Sequence, residues 1–236
     1  MAGEFPEPPG DGGADGGTDG DADGRPDDTT PLAFGVEGLD ARLGAPLRPG
    51  SVVALSAAPA SPSEELLYPP AAANPGRYLT TLRGAAEVRA HADRSADAGA
   101  LDVHEATGSS LLDDSTGHLS GLDARSVVVI DPATELEREG RERYRSFLDT
   151  LVRAVRTTES VAFLHCLRMN PRALQRDLTL AVADTVLELE TYVDEDGGPV
   201  VTLAARKARF GRAPAGPVPL RFGGDGPTVA GGSTKE

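Results

Sequence analysis

Two adjacent residues in this sequence, His165 and Cys166, have the strongest intrinsic reactivity, and both lie at the end of an apolar run. A Cys–His nucleophile pair needs side chains that face each other and a third group that orients the imidazole. Neighbouring strand residues point to opposite faces, so we predict that His165 is packed rather than catalytic. The other histidines, His91, His104 and His118, lack ligand-like spacing, and no metal site is predicted.

A compact basic group near the C-terminus is the second feature with potential chemistry. Arg206, Lys207 and Arg209 lie close together in a chain of net charge −14, and Lys207 is the only lysine before Lys235. A solvated end of a strand is an alternative interpretation of this group. Arginines elsewhere alternate with acidic residues and lack aromatic partners, so no nucleic-acid platform is predicted.

The elements that must position these residues alternate between strand-like and helix-like segments, which is typical of a mostly parallel, twisted sheet with helices on both faces. The predicted strands are 51–56, 77–82, 101–103, 125–130 and 160–165, and the predicted helices are 85–92, 139–156 and 171–182. Pro171 suits the first turn of the last helix. Segments 184–193 and 200–207 flank a Gly-rich turn and predict a C-terminal β-hairpin extension, with 217–222 as a last strand.

The opening of the folded part carries a recognisable pattern. Gly35-Val-Glu-Gly-Leu-Asp-Ala-Arg-Leu-Gly44 is followed by Leu47-Arg-Pro-Gly-Ser-Val-Val-Ala-Leu-Ser56. Together these segments resemble the entry to the phosphate loop in the RecA superfamily, most closely in the KaiC/RadA/GvpD-like archaeal ATPases. The resemblance runs from Leu32 to about Val229, and it implies an α/β RecA-like fold and, in an active member, Mg-ATP as ligand.

The phosphate loop itself departs from that family. A working loop follows G-x-x-x-x-G-K-[ST], in which backbone N–H groups wrap the phosphates, Lys neutralises them and the hydroxyl holds magnesium. Here Ala and Pro replace the two glycines, Ser63 stands in place of the Lys, and Glu64 in place of the hydroxyl. The degenerate stretch comprises Ala57, Ala58, Pro59, Ala60, Ser61, Pro62, Ser63 and Glu64.

The replacements favour the start of a helix over a phosphate cradle. Pro62 lacks a backbone N–H and has a fixed φ. Ser63 is suited to cap the following helix, and Glu64 and Glu65 place carboxylates in its first turn, where the helix dipole favours anions. A triphosphate would therefore meet carboxylates at this position.

A second departure concerns the general base. In the family, the next strand ends in a Glu that activates the attacking water, whereas here it ends Tyr78-Leu-Thr-Thr-Leu-Arg-Gly84, without an acid. Glu87 lies one helical turn later and is interpreted as a solvated helix residue. The phosphate anchor and the base are thus absent together, which predicts loss of ATP hydrolysis.

Two features of the family are retained. Asp131 ends the strand-like run 127–131 and resembles the Walker B aspartate that orients magnesium, although an Asp before Pro132 is also an ordinary turn former. Lys207 and Arg209 resemble the K-x-R pair that family members extend toward the γ-phosphate of a neighbouring subunit. On this resemblance, the pair would act across an interface between subunits.

Composition sets the wider context. Residues 1–30 form an acidic Gly/Asp-rich zone that is predicted to be a disordered tail, 31–230 the RecA-like domain, and 231–236 a frayed end. Scarce Lys, abundant Arg and the −14 charge indicate a halophilic archaeal protein, with an ordinary acidic protein as the alternative. Without a signal sequence or an apolar run long enough to span a bilayer, the chain is expected to be cytoplasmic.

Three functional hypotheses follow. The first is a non-catalytic RecA/KaiC-like protein, with ATP hydrolysis lost and no bound cofactor, that acts through a protein partner or homo-oligomer as a regulatory or recombinase-paralog-like interaction module. The second is a divergent ATP-binding protein or ATPase involved in DNA repair or signalling. The third, direct DNA binding through residues 206–212, is disfavoured by the net charge.

Overall fold

The computed structural model describes residues 30–96, 101–210 and 216–231. Nearly all of the predicted acidic tail (1–30) and of the C-terminal end (231–236) therefore lies outside the described residues, as does Arg212. The structure contains one sheet with helices on both faces. Its strands are β1 Ser51–Ala57, β2 Gly76–Thr80, β3 Asp102–Glu105, β4 Val127–Asp131, β5 Val161–Leu167, β6 Thr185–Val193, β7 Pro199–Ala208, β8 Val218–Gly223 and β9 Gly226–Val229.

The helices are mostly short. They are α1 Leu39–Leu43, α2 Tyr68–Ala73, α3 Ala85–Ala96, α4 Gly108–Asp113, α5 Ser115–Leu119, α6 Thr134–Glu137, α7 Arg141–Thr158 and α8 Arg176–Val182, with a 3-10 helix at Ser63–Leu66. None of the helices in the described segments is both long enough and apolar enough to cross a membrane.

The strand order is β3-β2-β4-β5-β1-β6-β7-β8-β9. Strands β1 to β6 pair in parallel, and β7, β8 and β9 extend the sheet antiparallel to one another and to β6. The carboxyl ends of the parallel strands therefore share one edge of the sheet, the carboxyl edge, and their amino ends share the opposite, amino edge. The predicted fold class, including the C-terminal hairpin, is confirmed.

The apolar patterns of β4 and α7 match the faces that these elements bury. All five residues of β4 are buried, as a strand covered on both faces requires. Helix α7 buries one apolar stripe, formed by Tyr144, Phe147, Leu148, Leu151 and Val155, against the sheet. On the opposite face, Phe34 packs edge to face on Phe163, with ring centroids 5.8 Å apart.

Some predicted boundaries were wrong. Helix α8 begins at Arg176 instead of Pro171, so Pro171 lies in the connection after β5 and not in a first turn. Strand β2 ends at Thr80, because Thr80 turns the chain by bonding through its hydroxyl to the carbonyl of Arg83 (2.9 Å). The helix predicted to start after Ser63 is instead a 3-10 helix, Ser63–Leu66, and α2 follows with Pro69 and Pro70 in its first turn, where proline is tolerated.

Candidate functional site

Asp131 lies at the carboxyl edge, at the end of β4, and is only 1% exposed. Both carboxylate oxygens accept hydrogen bonds from other elements. Tyr78 of β2 donates its hydroxyl to Oδ2 (2.5 Å), and Arg83 donates Nη2 to the same oxygen (2.8 Å). His165 of β5 contacts Oδ1 through Nδ1 (2.5 Å).

These contacts fix the charge of the carboxyl group. Burial alone would raise the pKa of Asp131, but the hydrogen bonds from His165 and Tyr78 and the charge of Arg83 lower it to about 2. Asp131 is therefore an acceptor at neutral pH, and the His165 Nδ1–H is the donor of the 2.5 Å contact.

Ser63 continues this chain of hydrogen bonds. Its hydroxyl lies 2.9 Å from His165 Nε2, and in the neutral tautomer that carries its proton on Nδ1, facing Asp131, Nε2 accepts the Ser63 hydrogen bond. The sequence-based prediction that Ser63 caps a helix was wrong. The residue is the first of the 3-10 helix, Pro62 precedes it, and no side chain caps that helix.

The order Ser63–His165–Asp131 is the connectivity used for nucleophilic catalysis on other folds. Each of the three residues, however, is only 1% exposed. A cleft of about 440 Å³ lies at the same edge, but its lining comes from residues 80–84, 105–107 and 110, and includes neither Ser63 nor His165. The chain of hydrogen bonds is thus closed to substrate in this structure.

Arg83 connects the buried carboxylate to the surface. Its Nη1 forms an ion pair with Glu64 Oε2 (2.6 Å), and its Nη2 also donates to the Tyr68 hydroxyl (3.3 Å). The side chain of Arg83 is 17% exposed and that of Glu64 is 43% exposed. Burial alone would lower the pKa of Arg83, but the adjacent Asp131 carboxylate raises it above its ordinary value.

The stretch from Ala57 to Glu64 forms a tight turn and then the 3-10 helix. Ala57 ends β1 and accepts a hydrogen bond from the Arg168 amide (2.7 Å). Ser61 closes the turn by donating both its amide (3.0 Å) and its hydroxyl (2.6 Å) to the carbonyl of Ala58. Ser63 then forms a hydrogen bond with His165, and Glu64 forms an ion pair with Arg83. The polar side chains of Ser61, Ser63 and Glu64 thus bind to the protein's own chain.

Lys207 and Arg209 lie at the amino edge, so the structure does not bring them together with Asp131. Lys207 Nζ donates to the carbonyls of Leu180 (2.8 Å) and Ala181 (3.2 Å), and Arg209 Nη2 donates to Ala181 (3.1 Å). These carbonyls belong to the last turn of α8, where cations are favoured. A role across a subunit interface stays a prediction.

Asp184 holds Arg209 in place at the start of β6. Its Oδ1 lies 3.2 Å from Arg209 Nη1, and its Oδ2 accepts the Val52 amide (3.0 Å). Burial and the charge of Arg209 lower the pKa of Lys207, which Asp184 partly opposes. Within this chain, the basic pair therefore has a local role in closing the end of α8.

The comparisons with known proteins agree with this architecture. The sequence pattern of a family described as a family of unknown function, DUF7125, matches residues 31–228.

The chain belongs to DUF7125.

Among solved structures, this DUF7125 chain is similar to the KaiC-like protein PH0186 from the hyperthermophilic archaeon Pyrococcus horikoshii OT3. The TM-score is 0.70 at 15% identity, over 85% of this chain and 99% of that one. At this identity, the likeness shows the fold alone. No curated protein matches the sequence.

Three partners of Asp131 were missed by sequence reasoning. Tyr78, Arg83 and His165 lie 53, 48 and 34 positions from Asp131 in the chain. The available signal was their position at the ends of neighbouring parallel strands, because such ends meet at one edge. Metal ligation has no support in the described segments, where no three His, Cys, Asp or Glu side chains are grouped so that they could hold an ion.

Proposed function

We propose that this DUF7125 chain is a non-catalytic KaiC-like protein whose own side chains replace the nucleotide, and that it acts as a regulatory or recombinase-paralog-like interaction module. One observation carries the proposal: both oxygens of the buried Asp131 carboxylate are bound by Tyr78, Arg83 and His165. A carboxylate engaged in this way is not available to orient Mg²⁺, so the retained aspartate does not fit the cofactor that the family resemblance implies.

The contact between Arg83 and Asp131 opposes nucleotide binding, because a nucleotide with Mg²⁺ would have to displace Arg83 from the carboxylate. Arg83 is partly exposed and Asp131 keeps two other donors, so breaking the Arg83–Asp131 contact costs about 1–3 kcal/mol. Because about 1.4 kcal/mol corresponds to a factor of ten, opening this contact would weaken nucleotide binding by about one to two orders of magnitude. Glu64 adds a carboxylate where phosphate charge would develop, and Arg83 is already neutralised by Glu64 and Asp131.

Calorimetric titration with Mg-ATP, together with phosphate-release measurements, tests the proposal. Both are performed at low and at molar KCl, so that a salt requirement for folding is met. We expect no saturable heat below millimolar ATP and no release above the buffer rate. Micromolar binding with turnover would support the divergent ATPase hypothesis and overturn the proposal.

A matched variant sharpens this test. In Ser63→Gly/Glu64→Ala/Arg83→Ala, the side chains that close the site are removed while Asp131 is retained. If the closure excludes nucleotide, this variant binds Mg-ATP more tightly than the parent chain does. Equal, weak binding by both proteins would show that the closing side chains are not what excludes the nucleotide.

The proposed module would act through a protein partner or a second copy of the chain, in a salt-rich cytoplasm and without direct contact to nucleic acid. The negative net charge of −14 supports the last point. Capture of partners from the native host at high salt, followed by mass measurement of the purified complex, tests the interaction role. A chain that remains monomeric and captures nothing above a control column would contradict it.

A further inference from the structure

The amino edge of the sheet carries an uncompensated group of arginines. Arg48 precedes β1, and Arg153 and Arg156 lie in the last turns of α7. All three are exposed, and none forms an ion pair or side-chain hydrogen bond with the described residues. This grouping contrasts with the carboxyl edge, where Arg168 is paired with Glu188 (2.9 Å) and Glu190 (2.7 Å).

Backbone contacts show that these arginines share one surface. The Gly50 amide bonds to the Ser160 carbonyl (2.8 Å), and a side chain added at Gly50 would meet the Arg156 Cα at 3.5 Å. Arg125, just before β4, donates its amide to the Thr158 carbonyl at the end of α7 (2.8 Å). The start of β1, the end of α7 and the start of β4 therefore meet. We call Arg48, Arg125, Arg153 and Arg156 the basic edge.

The acidic groups beside the basic edge do not balance it. Glu159 follows α7, Asp123 precedes β4 and Asp149 lies one helical turn before Arg153, and none of the three forms an ion pair with these arginines. Asp184, further along the same edge, is engaged by Arg209. Four arginines against three carboxylates leave this surface with a net positive charge, in a chain whose total charge is −14.

The segment that precedes the described residues has the opposite charge. Residues 1–29 contain nine Asp or Glu and a single Arg, so this short segment contributes more than half of the net charge of −14. Thr30, the first residue after this segment, lies at the basic edge, because its carbonyl accepts a hydrogen bond from Arg125 Nη2 (2.6 Å).

We propose that the acidic N-terminal segment, residues 1–29, binds the basic edge of its own domain. Each exposed ion pair contributes only up to about 1 kcal/mol. The tether, however, gives the segment an effective concentration in the millimolar range, so a few weak contacts suffice. Reach is not limiting. Twenty-nine residues extend to roughly 95 Å, whereas two strand spacings, from β4 to β1, measure about 9 Å. The segment competes with any acidic partner for this edge.

Paramagnetic relaxation enhancement in the full chain tests the proposal. A nitroxide is attached at Gly16→Cys, and the unsubstituted chain treated with the same reagent is the labelling control, since its only cysteine, Cys166, is buried. We expect amide signals of residues 48, 50, 125 and 153–158 to broaden. Signals of residues 80–84, 168–170 and 172–175, at the carboxyl edge, should remain sharp.

Two matched triple variants identify the cause. Arg48→Gln/Arg153→Gln/Arg156→Gln should abolish the selective broadening. The control, R94Q/R145Q/R172Q, removes the same charge from exposed arginines that make no side-chain contact among the described residues, and should leave it intact. Even broadening over the whole surface, or equal broadening in both variants, would overturn the proposal. Neither result depends on whether ATP binds at the carboxyl edge.

Discussion

Two buried ionic networks contact β5 through adjacent residues, one through His165 and the other through Cys166, and they differ in how they end. Glu137 of α6 is fully buried and is bound by Arg176 through Nε (2.7 and 2.8 Å) and Nη2 (2.7 Å). Thr179 also donates to Glu137, and Tyr144 contacts Thr179 (2.7 Å). This network joins α6, α7 and α8 and closes inside the protein. The Asp131 network instead passes through Arg83 to Glu64 at the surface.

The difference separates a structural ion pair from a site. The Glu137–Arg176 pair holds helices together and has no opening to solvent. The Asp131 network lies at the carboxyl edge of a parallel sheet, which is where open α/β sheets bind ligands. Burial of a carboxylate is common to both networks, so burial alone does not identify a ligand site; the position in the sheet and the surface-exposed end of the network do.

The largest loss of stability is expected in the Glu137–Arg176 network. Arg176→Ala leaves the Glu137 carboxylate buried without its cation, and we expect the free energy of unfolding to fall by about 3–5 kcal/mol in chemical denaturation. Arg141→Ala, which removes an exposed ion pair with Asp177, is the control and should cost less than about 1 kcal/mol. Equal losses of unfolding free energy would show that burial does not determine how much each ion pair contributes.

Lowering the pH should reduce the contribution of the Asp131 network to the free energy of unfolding. The folded-state pKa of Asp131 is lowered from 3.8 to about 2, so its contribution is fully present above pH 4 and is lost as the pH falls through 2. The contribution is at most about 2 kcal/mol. The difference in unfolding free energy between the parent chain and Asp131→Asn should shrink by about that amount between pH 5 and pH 2. A constant difference would contradict the assignment.

Removal of Arg83 should have a smaller effect than removal of Arg176, because Arg83 is partly exposed and Asp131 keeps two other donors. We expect Arg83→Ala to cost about 1–3 kcal/mol. Arg138→Ala, which removes the ion pair of an exposed arginine with Glu135, is the control and should cost less. If Arg83→Ala is as disruptive as Arg176→Ala, the contrast between the two networks does not hold.

The smallest effect is expected at Ser63. Ser63→Ala removes the hydroxyl that donates to His165, and the expected cost is about 1 kcal/mol. The chemical shift of His165 Nε2 should change on this substitution, since the nitrogen loses its donor. Ser61→Ala, which removes a hydroxyl bound only to Ala58 within the turn, should leave that signal unchanged. An unchanged His165 signal in both variants would place Ser63 outside the network.

Much of the fold followed from local patterns. The apolar run of β4 and the stripe of α7 predict their own burial, because strands between two helical layers and helices on a sheet must be apolar in these positions. The start of α8 did not follow, since Pro171 satisfies the rules for a first turn but the chain runs irregularly until Arg176. Only half of the site could be predicted from the sequence. Asp131 and Ser63 were identifiable by position, whereas Tyr78 and His165 join them only when the sheet order is known.

The closing contacts of Ser63 have a consequence for how this lineage can change. Replacing Ser63 by Lys would restore the residue type of a phosphate loop, but it would also remove the donor to His165 and bring an ammonium group close to the Arg83 guanidinium. Replacing Arg83 first would leave Asp131 and Glu64 with too little positive charge. Neither single substitution therefore converts this turn into a phosphate loop, because each one breaks contacts that the remaining side chains depend on. The contacts of Ser63 and Arg83 must be changed together.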